Sequence, residues 1–217
     1  MKTYNFDSRI VVRGKFHPFF TTEQIKNEPM FFNCDLQFCR KHGNLITQSF
    51  LEYLPDDWKN CNPVIDSRVH MLMPGWCPAI PGFHHDDVPR STPTGQPNYD
   101  NPEYYSEHLT GIVNGEIAPT LFALGKHTLP QVDGIIYRVW HPMVEEQIRD
   151  GILKPFVLES GEYVQFDWQS MHTAQKANSS GWRWFIRLSR KTDRQNHVTN
   201  EIRRQVQVYL ENPTDGW

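Results

Sequence analysis

The sequence has little net charge and no cluster of basic residues. Its 217 residues carry a formal net charge of −3, and no run of lysine and arginine is longer than two. Proteins that bind duplex nucleic acid or anionic membranes usually carry a basic patch, so neither partner is expected. No apolar run approaches the roughly 20 residues of a membrane-spanning helix, and the first residues lack an apolar segment of signal-peptide length. We therefore expect a cytoplasmic protein.

Cysteine pairs with metal-binding spacing are also missing. The four cysteines, Cys34, Cys39, Cys61 and Cys77, form no CxxC pair, which argues against a zinc ribbon. We expect them to be reduced, although two disulfides are the alternative. The chain has no internal repeat, and its length suits a single domain of residues 1–217. Aromatic residues make up 13% of it, with seven tryptophans, which indicates large buried surfaces or a ring-lined pocket.

Short apolar runs of β type, separated by glycine, proline or asparagine, dominate the chain after residue 60. These runs are RVHMLM, LTGIV, PTLFAL, GIIYRVW, PFVLE, EYVQFDW and RWFIRLS, and one earlier run, RIVVR, lies near the start of the chain. Many short strands with turn signals between them are typical of a β-sandwich or barrel. The pattern predicts a mainly β fold with a core over residues 64–190.

Helical patterns are concentrated before residue 60. Apolar positions recur at steps of three or four between Cys39 and Leu54, which predicts one helix over residues 34–54 with Asn33 as its N-cap. A second helix is predicted at PMVEEQIRDG, with Pro142 in its first turn. We expect residues 1–60 to supply a strand and helices that pack on one outer face of the β core.

The segment from Val88 to His108 contains four prolines and three tyrosines and no regular pattern. Long loops of this kind inside a compact domain are often lids over a site. Residues 88–108 are therefore a candidate lid, and a surface insertion is the alternative.

Four neighbouring side chains in PGFHHDDVPR have the chemistry of metal ligands. Because residues i and i+2 of an extended strand point to the same side, His84 pairs with Asp86, and His85 pairs with Asp87 on the opposite side. Either pair could hold a metal together with His172, which follows a later strand. Two imidazoles and one carboxylate on one face of an ion form the facial triad of non-haem Fe(II) oxygenases.

The strand GWRWFIRLSR separates apolar from basic residues. Trp184 and Ile186 share one face, and Arg183 and Arg187 share the other. An inward-facing arginine could bind a carboxylate in two places at once, which is what a dicarboxylate co-substrate needs. A half-buried strand with its arginines in water is the alternative.

With these residues, the chain resembles the Fe(II)/2-oxoglutarate-dependent dioxygenase superfamily, whose motif is HxD…H followed by an arginine. GFHHD, with an aromatic residue before the first histidine, resembles the phytanoyl-CoA hydroxylase-like branch, and FDWQSMHTAQKANSSGWRWFIRLS resembles the distal half. The resemblance implies a double-stranded β-helix, which is a jelly-roll, cupin-like barrel. It implies iron ligands at His84, Asp86 and His172, and 2-oxoglutarate held by Arg183, with Arg187 as the substitute.

The implied reaction is the hydroxylation of a small polar substrate with dioxygen and 2-oxoglutarate, releasing succinate and carbon dioxide. Asp167 or Gln169 would orient His172. Further candidates for the pocket wall are Arg68, His70, Arg90, Thr120 and Arg138. The alternatives are a cupin-type metalloenzyme that does not use 2-oxoglutarate, and a metal-free jelly-roll protein that binds a ligand.

Overall fold

Antiparallel strands form the centre of the protein. The structure is a computed structural model, and it describes residues 2–91, 93–100 and 105–210. The first sheet contains β1 (Thr3–Ser8), β6 (Thr120–Pro130), β7 (Lys154–Val157) and β9 (His172–Ala174). Its order is β1–β6–β7, and β9 also pairs with β6.

The second sheet has five strands. They are β2 (Ile10–Lys15), β4 (Val64–Leu72), β5 (Glu107–Val113), β8 (Glu162–Asp167) and β10 (Gly181–Arg190). The order is β2–β8–β5–β10–β4, and all the pairings are antiparallel. A separate pair joins β3 (Met30–Phe32) to β11 (Glu201–Arg203). The expected mainly β architecture is confirmed, and both sheets include N-terminal strands from outside residues 64–190.

The two sheets enclose a layer of aromatic and aliphatic side chains. This layer combines residues of β5, β6 and β8, namely Ile112, Phe122, Val164 and Phe166. Burying side chains of this size removes apolar surface from water and stabilises the pairing of the two sheets. The candidate metal ligand His172 lies at the edge of this layer, with its ring 5.3 Å from that of Phe122 and 5.1 Å from that of Phe166.

Helices cover the outer faces of both sheets. The helices are α1 (Thr22–Lys26), α2 (Leu36–His42), α3 (Leu45–Glu52), α4 (Asp56–Lys59) and α5 (Ile136–Arg149). The first four pack on the second sheet, where Trp184, Ile186 and Leu188 of β10 join their core. Helix α5 packs on the first sheet through Trp140 and Val144.

The single helix expected over residues 34–54 is wrong, because the chain breaks at Gly43. Gly43 has extended backbone angles, and a Cβ there would lie 2.5 Å from the Thr47 side chain. Helix α2 begins after Asp35, whose carboxylate accepts a hydrogen bond from the Phe38 amide. Asn33, the expected N-cap, has φ 52° and lies outside the helix.

The strand expected at GIIYRVW is also wrong, because residues 136–140 form the start of α5. Ile136, Trp140 and Val144 recur at steps of four and share the face that packs on the first sheet. Pro142 therefore lies inside the helix rather than in its first turn. Burial of this apolar stripe outweighs the hydrogen bond that proline cannot donate.

The candidate lid is only partly described, because Thr92 and residues 101–104, with Tyr104, lie outside the described residues. Tyr99 is packed inward between Tyr4 and Trp140, whereas Tyr105 is 66% exposed. His108 belongs to β5. Whether residues 88–108 close over a site stays a prediction. Among the described residues, no helix is both long and apolar enough to cross a membrane.

A buried carboxylate holds the start of α3. The residue before the helix, Asn44, makes no capping hydrogen bond with its side chain. Glu28, which is 5% exposed, accepts hydrogen bonds from the Ile46 amide at 2.6 Å and the Thr47 hydroxyl at 2.7 Å. Glu28 thus satisfies donors that a helix N-terminus otherwise leaves without partners.

Glu28→Ala should lower the free energy of unfolding by about 1–3 kcal/mol, because buried donors lose their acceptor. Urea unfolding of the two proteins measures this difference. Glu52→Ala, at the exposed C-terminal end of the same helix, is the matched control and should change the value by less than about 0.5 kcal/mol. Equal effects of the two substitutions would contradict this account of the helix start.

Candidate metal centre and cavity

A backbone bridge places two distant histidines side by side. The amide of His84 donates to the carbonyl of His172 at 2.9 Å, and the amide of His172 donates back at 3.1 Å. The bridge joins the PGFHHDD segment to β9, and the two imidazole rings lie 4.7 Å apart. Two residues far apart in sequence are therefore fixed next to each other by main-chain hydrogen bonds.

The two imidazoles have the orientation that a metal site requires. The Nδ1 atom of His84 lies 2.8 Å from the Gly82 carbonyl, and that of His172 lies 2.9 Å from the Ser170 carbonyl. A carbonyl only accepts, so both Nδ1 atoms carry the proton and both Nε2 atoms offer a lone pair. Burial and the neighbouring His172 lower the pKa of His84 to about 4, which keeps that ring neutral.

A carboxylate completes this group. Asp86 Oδ2 lies 3.3 Å from His172 Nε2, and Asp86 Oδ1 lies 4.0 Å from His84 Nε2. One ligand atom from each of these three residues lies within 4.8 Å of the other two. Two neutral nitrogens and one carboxylate oxygen suit Fe(II) or a similar divalent ion. The donor set therefore fits the group that the motif implies.

The alternative pair points away from this group. His85 is buried between Phe6 and Trp140, and its Nδ1 atom lies 2.8 Å from the Tyr99 hydroxyl. Asp87 has φ 49°, which turns its side chain to Arg194 at 3.5 Å. The left-handed backbone angles of Asp87 end the extended conformation. The alternation of side chains along a strand therefore does not by itself decide where both His–Asp pairs point.

Arg187 binds carboxylates of the protein itself. Its guanidinium pairs with Asp86 and lies 3.4 Å from Asp66 and 3.8 Å from Asp87. Burial opposes its charge, but these carboxylates raise its pKa above the ordinary value. Burial likewise opposes the charge of Asp86, yet the Arg187 guanidinium holds the pKa of that carboxyl well below its usual range. Arg187 is thus engaged in the protein's own charge network, and its role as the substitute anchor for 2-oxoglutarate stays a prediction.

Arg183 has the opposite environment. It is 2% exposed, and its Nη2 atom donates to the Thr120 hydroxyl at 2.9 Å. No carboxylate of the described residues pairs with it, and its Nε atom has no hydrogen-bond partner there. Burial lowers its pKa to about 10. A buried cation that lacks a counter-ion is costly and favours the binding of an anion.

One cavity of about 1110 Å³ is lined both by the three candidate metal ligands and by Arg183. Arg68 and His70 of β4 line it, as their shared parity predicts, together with Thr120. Burial and the nearby Arg183 and Arg68 lower the pKa of His70 to about 3, so that ring is neutral.

Several expected site residues lie elsewhere. Arg90 is exposed and donates to the Gly95 carbonyl, outside the cavity lining. Arg138 lies on the exposed side of α5 rather than on an inward-facing strand. Asp167 accepts from the Gln169 amide, and Gln169 accepts from the Asp7 amide, so neither side chain orients His172.

Sequence reasoning missed Asp66 and Arg194. Arg194 pairs with both Asp66 and Asp87 and connects the network to the turn after β10. The alternation of Asp66, Arg68 and His70 along β4 was a usable signal for Asp66. Nothing local in the sequence marks Arg194, because its role depends on how the chain returns past the sheet.

No protein-family model matches the chain, and no curated protein matches it. Solved structures that are similar to parts of it include EvdMO1, with 15% identity over 65% of this chain and 32% of that one, at a TM-score of 0.37. An N-substituted L-amino acid dioxygenase from Burkholderia ambifaria AMMD has 13% identity over 58% of this chain and 47% of that one, at a TM-score of 0.30.

Apo HygX from Streptomyces hygroscopicus has 11% identity over 85% of this chain and 82% of that one, at a TM-score of 0.35. The chain spans about a third of the length of EvdMO1 and about half that of the amino acid dioxygenase. At these TM-scores the similarities carry no conclusion about the protein.

Arg187→Met should destabilise the metal-free protein by about 3–5 kcal/mol, because it leaves buried carboxylates without their counter-ion. The free energy of unfolding in urea, measured with a chelator present, tests this. Arg149→Met removes an exposed arginine that lies 3.7 Å from Glu146 and should cost less than about 1 kcal/mol. If Arg187→Met were as stable as this control, the charge network would have no role in holding the site.

Proposed function

We propose that the protein is a non-haem Fe(II)- and 2-oxoglutarate-dependent oxygenase with a double-stranded β-helix core. One observation carries the proposal: a facial set of two imidazoles and a carboxylate shares a cavity with a buried arginine that has no carboxylate partner among the described residues. The set suits a ferrous ion, and the arginine suits the far carboxylate of 2-oxoglutarate.

In this proposal His84, Asp86 and His172 hold the iron. When bound, the metal would supply the oxidation chemistry, in which dioxygen and 2-oxoglutarate hydroxylate a substrate carbon and yield succinate and carbon dioxide. The carbonyls of Gly82 and Ser170 keep both Nε2 lone pairs directed at the ion. Arg187 holds the Asp86 carboxylate ionised and ready to bind the metal.

The remaining polar groups would orient the co-substrate. Arg183 would bind its far carboxylate, and the Thr120 hydroxyl fixes one edge of the guanidinium. His70, which is opposite Arg183 in the β4–β10 register, is neutral and leaves the positive charge of Arg183 uncompensated. The aromatic rings of Phe122 and Phe166 behind His172 keep water from that side of the site.

Anaerobic addition of Fe(II) and 2-oxoglutarate should produce the weak visible charge-transfer band of the chelate, and admitting air should release succinate. Asp86→Ala should abolish the band because the metal loses its carboxylate ligand. Asp87→Ala should keep it, because Asp87 faces Arg194 rather than the two histidines. A band lost in Asp87→Ala and kept in Asp86→Ala would move the site to the second pair.

Arg183→Met should raise the Kd of 2-oxoglutarate about ten- to a hundredfold, because hydrogen bonds to a charged group contribute about 1.5–3 kcal/mol. Titration of the anaerobic Fe(II) protein measures this, with Arg149→Met as the control that should bind normally. Equal affinity in the two variants would favour a metalloenzyme that does not use 2-oxoglutarate. Failure of the wild-type protein to bind metal would favour a metal-free ligand-binding protein.

A further inference from the structure

The cavity carries more positive charge than its own acids neutralise. Its arginines are Arg68, Arg183, Arg187, Arg194, Arg203 and Arg204, and its acids are Asp66, Asp86, Asp87 and Glu201. A volume of about 1110 Å³ exceeds the few hundred Å³ that a small ligand fills. A divalent metal and the dianion 2-oxoglutarate would cancel each other's charge and leave this excess unchanged.

The three aspartates contact two of the arginines directly. Asp66 Oδ2 pairs with Arg187 and Arg194, and Asp66 Oδ1 accepts from the Asn33 amide at 3.0 Å. Asp86 pairs with Arg187, and Asp87 lies against both of these arginines. Among the described residues, none of these carboxylates lies within ion-pair distance of a third arginine.

Besides Arg183, Arg68 is a mostly buried cation that this network leaves out. Its Nη1 atom donates to two backbone carbonyls, those of Ser67 at 2.8 Å and Phe31 at 3.1 Å. Within the described part of the chain, no carboxylate lies within ion-pair distance of its guanidinium. Burial lowers its pKa, and the more distant carboxylate of Asp66 acts in the opposite direction without cancelling this effect. An unneutralised guanidinium in this position favours the binding of an anion.

A second arginine, Arg203, lies near the same aromatic ring as Arg68. The guanidinium carbon of Arg203 lies 3.3 Å from the ring centre of Phe32, and that of Arg68 lies 5.8 Å from the same centre. Phe32 and Arg203 belong to the β3–β11 pair, whose residues help to line the cavity. The partner of Arg203 is Glu201, which is 49% exposed, and exposed pairs contribute little. Two like charges therefore share one aromatic ring.

The register puts Arg68 between the two parts of the proposed active site. On the inner face of β4 and β10, Arg68 is opposite Phe185, between the His70–Arg183 row and the Asp66–Arg187 row. Neighbouring rows are about 7 Å apart along a strand. An anion held by Arg68 would therefore lie beside both the co-substrate anchor and the metal ligands.

We propose that Arg68 and Arg203, which both lie near the ring of Phe32, form an anion subsite for a carboxylate or phosphate group of the substrate. That the bound molecule is a substrate rests on the oxygenase function proposed above. The subsite itself depends only on the arginines and the ring.

Titration of inorganic phosphate and of acetate into the metal-free protein at constant ionic strength, followed by calorimetry, tests the subsite. Arg68→Met and Arg203→Met should each raise the Kd of the preferred probe about tenfold, since each removes a charge-assisted hydrogen bond of about 1.5 kcal/mol. Tighter binding of phosphate than of acetate would indicate a phosphate ester, and the reverse order would indicate a carboxylate.

The control for surface effects is Arg149→Met, which should change the Kd less than about threefold, since that corresponds to less than 1 kcal/mol. Arg183→Met removes the co-substrate anchor, so the binding that remains in that variant belongs to this subsite. The inference is overturned if the wild type binds neither probe, if Arg183→Met alone abolishes binding, or if both Arg68→Met and Arg203→Met bind normally. Arg203 lies on a short peripheral strand, so its variant tests the idea even if Arg68→Met does not fold.

This experiment uses neither iron nor 2-oxoglutarate. Failure of the protein to form the iron chelate would therefore contradict the oxygenase function and leave the anion subsite standing. Loss of the subsite in the titration would leave the iron chemistry standing.

Discussion

The pair of main-chain hydrogen bonds between His84 and His172 is the constraint on which the rest of the site depends. Side-chain contacts alone would hold two imidazoles loosely, since each ring has two rotatable bonds. The bridge fixes both Cα atoms as opposed residues of an antiparallel pair, which sets how far apart the rings begin. The carbonyls of Gly82 and Ser170 then set their rotation. A metal would meet a site that is already organised.

The bridge also decides which side of the HHDD segment faces the cavity. His84 lies on the side that faces His172 of β9. His85 lies on the opposite side, among the aromatic rings beneath α5. Burial and nearby imidazoles lower the pKa of His85 well below its ordinary value, so this ring is a neutral core residue. The two neighbouring histidines differ in role because the sheet has two faces.

Much of this arrangement could be predicted from local patterns. The alternation along β10 correctly separated Arg183 and Arg187 from the tryptophan face, since strand parity is a local property. The mainly β architecture followed in the same way from short runs and turns. The errors occurred where long-range packing decides: GIIYRVW has β propensity but forms a helix because it buries one stripe against the first sheet. The engagement of Arg187 with Asp66 and Asp86 depends on three separate segments and has no local signal.

The inner face of β4 and β10 shows how one repeated geometry can give three environments for positive charge. In the Asp66–Arg187 row, Asp66 neutralises Arg187 across the strands. The Arg187 guanidinium also pairs with the candidate metal ligand Asp86. In the His70–Arg183 row the opposite residue is a neutral imidazole, so the charge of the guanidinium is not neutralised across the strands. The middle row opposes Arg68 with Phe185, a ring that cannot neutralise it. Because the backbone spacing is the same in all three rows, the residue across the strand determines whether the charge of each arginine is neutralised within the sheet.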